Sequence, residues 1–184
     1  MATRTSRNTV AVLALLAGRL TEGLPGAASL RPAVERLAAL IDGRDAWLDA
    51  AAERMDRATS LDVLGDAADR GTVEQAALMF REGPRLTAVA HDTGDWLHTA
   101  VYTVLPGHRA LLVRGAATDA EVVETIARRG GETIVVGSGI AGARLAIRVE
   151  GDSPIERGLV ASVVAELLAA ELWRRADAAE VAGD

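Results

Sequence analysis

Apolar positions along the chain change rhythm near residue 60. Before it, helical spacing dominates. Thr3–Leu20 is apolar over most of its length and ends near Gly18 or Gly23. Ser29 reads as an N-cap, with Pro32 in the first turn of a helix reaching Ile41. Asp45–Ala58 forms a further amphipathic helix carrying Trp47, Leu48 and Met55. After residue 60 short, continuously apolar runs take over: Leu61–Leu64, Leu86–Ala90, Ala110–Val113, Thr133–Val136 and Leu145–Val149. Such runs suit strands covered on both faces. Helical segments separate them: Thr72–Glu82, stopped by Gly83-Pro84, and Asp119–Arg129, closed by Gly130-Gly131. The stretch His91–Ala100 reads as a loop with a short helical turn. Ser153 caps a long final helix to about Arg175.

Strands alternating with helices predict βαβ units and a parallel sheet. Five strands fit. Ligands of such sheets bind beyond the carboxyl ends of the strands, near a topological switch point. The loops after Leu64, Ala90 and Val113 are therefore the first places to look for a site. The domain division this predicts is helices over 1–58, one α/β domain over 59–176, and a frayed tail over 177–184. The apolar stripes Val10–Leu20 and Leu159–Trp173 exceed what a lone surface helix needs, which points to core packing combined with a dimer interface.

Composition narrows the chemistry. The 184 residues are enough for one domain with a substantial core. There is no Cys, so disulfides and thiolate metal sites are excluded. The net charge is −6 and no basic run occurs, so the footprint of a nucleic-acid binder is absent. Every basic side chain other than His is Arg; Lys is missing entirely. Arg4 and Arg7 before the apolar run Val10–Ala17, with Gly26-Ala27-Ala28 behind, imitate a secretory leader. Arg19 and Glu22 interrupt that pattern and favour an amphipathic helix, hence a cytoplasmic protein without a membrane span.

Three polar groupings draw attention. His91, Asp92, Asp95 and His98 lie close together, but their spacing matches no standard metal site, and turn or cap hydrogen bonds are the simpler role for Asp92, Thr93 and Asp95. Gly137-Ser138-Gly139-Ile140-Ala141-Gly142 spells a dinucleotide fingerprint after a strand. A strand rather than a helix follows it, so it reads as a flexible turn. Arg70 beside Gly71-Thr72 marks a helix start able to meet an anion, although Asp66 and Asp69 share that loop.

One further pattern is specific. Val63-Leu64-Gly65, the helix Glu74–Glu82 (EQAALMFRE), Ala88, Gly94-Asp95-Trp96-Leu97-His98 and Leu111-Leu112-Val113 occur in that order. Together they resemble the SIS (sugar isomerase) domain family, in particular the second SIS domain of glucosamine-6-phosphate synthase and its relatives. The resemblance runs without a gap from Leu64 to Glu82 and covers most of the chain, which corresponds to the second half of a double-SIS protein. It implies a flavodoxin-like three-layer α/β/α sandwich with a five-stranded parallel sheet, preceded by helices. It implies a sugar phosphate as ligand, and a homodimer or a partner SIS subunit. It implies no cofactor and no metal.

By the same resemblance Glu82 maps to the enediol base and His98 to the ring-opening group. Gly65, Asp66, Arg70, Thr72 and Asp95 line the expected ligand loops. The departures matter. The family's helix Lys is Met79 here, and the Gly-Pro after the loop His is Thr99-Ala100. The Arg of the first loop is Asp66, and no Lys remains for a Schiff base. Two functions follow: an aldose–ketose isomerase relying on Glu82 and His98, or a non-catalytic module that binds a sugar phosphate or pairs with another SIS subunit.

Overall fold

The computed structural model describes residues 8, 9, 11–13, 16, 27–56, 58–149 and 153–183. Much of the expected Thr3–Leu20 helix lies outside the described residues; 8, 9, 11–13 and 16 are helical. The first full helix, α1, spans Ala27–Asp42, so Ser29 sits inside it rather than capping it. A 3-10 turn, Arg44–Ala46, leads into α2, Leu48–Met55. Then follow β1 (Ser60–Gly65), α3 (Arg70–Glu82), β2 (Ala88–Asp92), α4 (Thr93–His98) and β3 (His108–Val113). The chain continues through α5 (Asp119–Arg128), β4 (Glu132–Val136), β5 (Leu145–Ile147) and α6 (Pro154–Gly183).

All five strands are parallel, in the order β2-β1-β3-β4-β5. Two expectations shift. The second strand begins at Ala88, not Leu86, because Arg85 takes a left-handed conformation (φ 60°) after Gly83-Pro84 and delays pairing. The final helix runs past Arg175 to Gly183. Among the described residues no helix is long and apolar enough to cross a membrane.

Strand side chains alternate between the two faces, and each face has its own core. Leu61, Val63, Leu111, Val113, Ile134 and Val136 meet α2, α3 and α6 on one side. Leu64, Ala110, Leu112 and Val135 meet α4 and α5 on the other. Three layers result. Phe80 on the first face and Trp96 on the second are fully buried; burying each such ring contributes about 1.5–3 kcal/mol. Helix α5 ends as its sequence demands: Gly130 turns left-handed (φ 82°) and the Gly131 N–H returns to the Ile126 carbonyl at 3.0 Å.

Candidate functional site

The switch point lies between β1 and β3, whose crossovers leave in opposite directions. Loops from the carboxyl ends of β1, β2, β3 and β4 meet around it, and two cavities flank it. One, of about 430 Å3, opens between α3, the end of β2 and α4; Arg70, Glu74, His91, Asp92, Asp95 and Thr99 are among its lining. The other, of about 340 Å3, opens beyond β3 and β4 against the first turn of α6; Arg114, Gly115, Gly137, Ser138, Glu156 and Arg157 are among its lining.

The first cavity holds two of the residues expected from sequence, Arg70 and Asp95. Its charge is unfavourable for an anion. The Arg70 guanidinium is paired with Glu74 at 2.8 Å. Glu74, with Asp92 and Asp95 close enough to add to the effect, raises the Arg70 pKa further. One cation therefore faces three carboxylates. Asp92 is committed to structure: Oδ1 accepts from the Gly94 N–H at 2.8 Å and the Asp95 N–H at 3.2 Å, capping α4 as the sequence implied. Among the described residues no group of His, Asp and Glu is arranged to hold a metal ion.

The second cavity is built differently. Arg114, immediately after β3, donates through Nη1 to the Ser138 carbonyl at 2.8 Å and the Gly139 carbonyl at 2.9 Å. It thereby fixes the turn after β4, where Gly137 has φ 132°. Arg157, in the first turn of α6, reaches back over the β3 loop. A methyl group on Gly115 would sit 3.0 Å from Arg157 Nε, so the missing side chain makes room for the guanidinium. Arg157 also approaches Asp69 Oδ2 at 3.4 Å. That contact is long, and Asp69 is almost fully buried. Burial raises the Asp69 pKa, with Arg157 only partly opposing it.

The backbone amides at the start of α5 are already engaged. Asp119 Oδ2 accepts from the Gly115 N–H at 2.8 Å and the Ala116 N–H at 3.0 Å. Burial pushes the Asp119 carboxyl up, and these two amides pull it back only in part. Anion recognition at this end of the sheet thus falls to side chains, Arg157 first and Arg114 second.

The remaining expected residues scatter. Gly65 ends β1, where a Cβ would lie 2.9 Å from Val73 Cγ1; it serves strand–helix packing. Asp66 is half-buried in the following loop and adds to the field on Asp69 and Asp119. Thr72 turns toward α6, its Oγ1 2.8 Å from where a Cβ of Gly158 would stand. Glu82 is exposed on the last turn of α3, and His98 is exposed at the end of α4. Helices α3 and α4 cover opposite faces of the sheet. Neither residue lines either flanking cavity.

Beneath the site lies a polar cluster that the sequence reading did not isolate. Asp62, in the middle of β1, is 5% exposed. Its Oδ2 accepts from Trp96 Nε1 at 2.6 Å and lies 3.3 Å from His108 Nε2, while Oδ1 lies 3.6 Å from His91 Nε2. His108 Nδ1 meets Ser60 Oγ at 2.8 Å. Burial alone would raise the Asp62 pKa; hydrogen bonds from His108, His91 and Trp96 outweigh it and hold the carboxylate far below its usual range. The available signal was a lone charge inside an apolar strand. Arg157 carried no comparable signal, because its place follows from where α6 begins in space.

Solved structures share this architecture. The C-terminal domain of glucosamine-fructose-6-phosphate aminotransferase from Francisella tularensis aligns with a TM-score of 0.71 at 14% identity, over 80% of this chain and 44% of that one. An Escherichia coli CFT073 protein solved in complex with a sugar phosphate aligns with a TM-score of 0.65 at 13% identity, over 79% of this chain and 86% of that one. The sugar isomerase domain of the RpiR transcription factor from Sphaerobacter thermophilus aligns with a TM-score of 0.63 at 18% identity, over 82% of this chain and 90% of that one. No protein-family model and no curated protein sequence matches the chain. The fold is that of a SIS domain, as the motifs between Leu61 and Ile126 implied. The chain spans less than half of the Francisella chain it resembles.

Proposed function

We propose that this chain is a sugar-phosphate-binding SIS module whose ligand occupies the cavity beyond β3 and β4. The observation that carries this reading is the placement of Arg157 and Arg114 on that cavity, with the Ser138 hydroxyl between the strand ends. A guanidinium is suited to a phosphate, giving paired charge-assisted hydrogen bonds. The volume, about 340 Å3, falls among small-molecule pockets. The carboxylate-rich cavity beside Arg70 repels the same group. The neighbour solved with a sugar phosphate and the transcription-factor domain are consistent with binding as the shared property.

Binding without isomerisation fits the single chain. A proton transfer between adjacent sugar carbons needs its base and its ring-opening acid within hydrogen-bond reach of one substrate. Glu82 and His98 stand on helices covering opposite faces of the sheet. Only two copies, or a partner SIS subunit, could bring such residues to one pocket.

Calorimetry with fructose 6-phosphate, glucose 6-phosphate and arabinose 5-phosphate tests the proposal. Saturable binding of at least one is expected, weakened about tenfold or more in Arg157→Ala, since hydrogen bonds to charged groups contribute about 1.5–3 kcal/mol. Glu82→Gln leaves binding unchanged. Equal affinity of wild type and Arg157→Ala would refute the assignment. Turnover that depends on Glu82 would replace the binding module with a two-copy isomerase.

A further inference from the structure

A third cavity lies next to the proposed sugar-phosphate site, beyond Val149. It has a volume of about 300 Å3, and Arg36, Leu40, Gly43, Trp47, Arg148 and Val149 are among its lining. The last turns of α1, the 3-10 turn before α2 and the chain leaving β5 form its walls. Of these residues only Val149 also borders the β3–β4 cavity.

Its chemistry is one-sided. Two guanidiniums line it, and among the described residues no carboxylate does. Arg36 is tied to Glu156 at 2.9 Å. Arg148 is exposed and forms no salt bridge with a described residue. Leu40, Ala39 and Val149 supply an apolar wall. Trp47 is 8% exposed, and its Nε1 has no acceptor among the described residues. Buried indole N–H groups are ordinarily paired. An orphaned donor and an uncompensated cation beside one cavity call for the same partner, an acceptor carrying negative charge.

We infer that this cavity is a second ligand site, for a small organic anion: a phosphate or carboxylate on an apolar or aromatic body. Arg148 and Arg36 take the charged group, where a planar guanidinium offers two parallel donors. Trp47 Nε1 donates to an acceptor atom of the ligand. The Leu40–Val149 wall covers the apolar body. The site stands independently of the sugar-phosphate reading, because neither Arg114 nor Arg157 takes part.

The indole N–H of Trp47 is its own reporter. The chain contains three Trp, so a 15N-labelled sample gives three indole signals, and Trp47→Phe identifies the one in question. Phenyl phosphate is the probe. Its addition is expected to shift the Trp47 signal saturably, and Arg148→Ala to weaken the apparent affinity about tenfold. Arg148 is exposed, so that variant keeps the fold. Arg157→Ala leaves the titration unchanged. A Trp47 signal that does not move overturns the inference. So does an affinity indifferent to Arg148, or one lost with Arg157 and retained without Arg148.

Discussion

Replacing Asp62 by Asn removes one charge from the interior and changes almost nothing in volume, so its consequences can be worked from the geometry. The carboxylate accepts from Trp96 Nε1 at 2.6 Å and has His108 Nε2 at 3.3 Å, all inside the core. Hydrogen bonds to a charged acceptor contribute about 1.5–3 kcal/mol and neutral ones about 0.5–1.5 kcal/mol, so the Trp96 bond alone weakens by roughly 1 kcal/mol. The amide also turns an NH2 toward one of the ring nitrogens. A buried group left unsatisfied there adds about 1–3 kcal/mol. The expected loss is about 3 kcal/mol, a large part of the stability of an ordinary domain. In a chain of this size it lowers Tm by roughly 6–12 °C.

The pH dependence supplies a sharper check. The Asp62 pKa in the fold lies below its ordinary value of 3.8. A depressed carboxylate stabilises the fold above the unfolded pKa and loses that contribution as pH falls toward the folded one. The gap between wild type and Asp62→Asn should therefore be constant from pH 5 to 7. Below about pH 3.8 it should shrink by roughly 1.4 kcal/mol per unit. Urea denaturation followed by circular dichroism across that range measures both. Equal midpoints at neutral pH would refute the account, and so would a gap that widens in acid.

Trp96→Phe keeps the ring in the core but removes the donor, costing about 1.5–3 kcal/mol; because it shares one hydrogen bond with Asp62→Asn, the double variant should lose less than the sum in a thermal-unfolding cycle. Gly158→Ala forces a methyl group to 2.8 Å from Thr72 Oγ1. Its overpacking cost of about 1–3 kcal/mol exceeds the gain in helix propensity of about 1 kcal/mol, so Tm falls; adding Thr72→Ala should restore it, whereas a failure to restore would show that Thr72 does not set the α3–α6 spacing.

Much of the fold is legible in the chain because its causes are local. Continuous apolar runs set β1, β3 and β4. Gly130-Gly131 stops α5, and Asp92 caps α4, through contacts within a few residues. The misplaced boundaries are local too: a left-handed Arg85 that residue type alone does not announce, and a last helix whose polar end continues to Gly183. The candidate site was less legible. Sequence pointed to the loops at the strand ends, and those loops do flank the cavities. It also placed the anion beside Arg70, where Glu74, Asp92 and Asp95 gather only once β2 and α4 fold against α3.

The sequence by itself determined the alternation of strands and helices, the absence of Lys and Cys chemistry, and the SIS motif order, since each is a property of neighbouring residues or of composition. Only the tertiary structure decided which charges meet. Arg157 reaches Asp69 and lies over Gly115 because α6 starts where the β1 and β3 loops end. Glu82 and His98 part because α3 and α4 take opposite faces of one sheet. Asp62 finds Trp96, His91 and His108 because strand order β2-β1-β3 sets the strands bearing His91 and His108 on either side of it. Hydrophobic spacing fixes the elements, whereas convergence of charge depends on strand order and crossover, which no local pattern encodes.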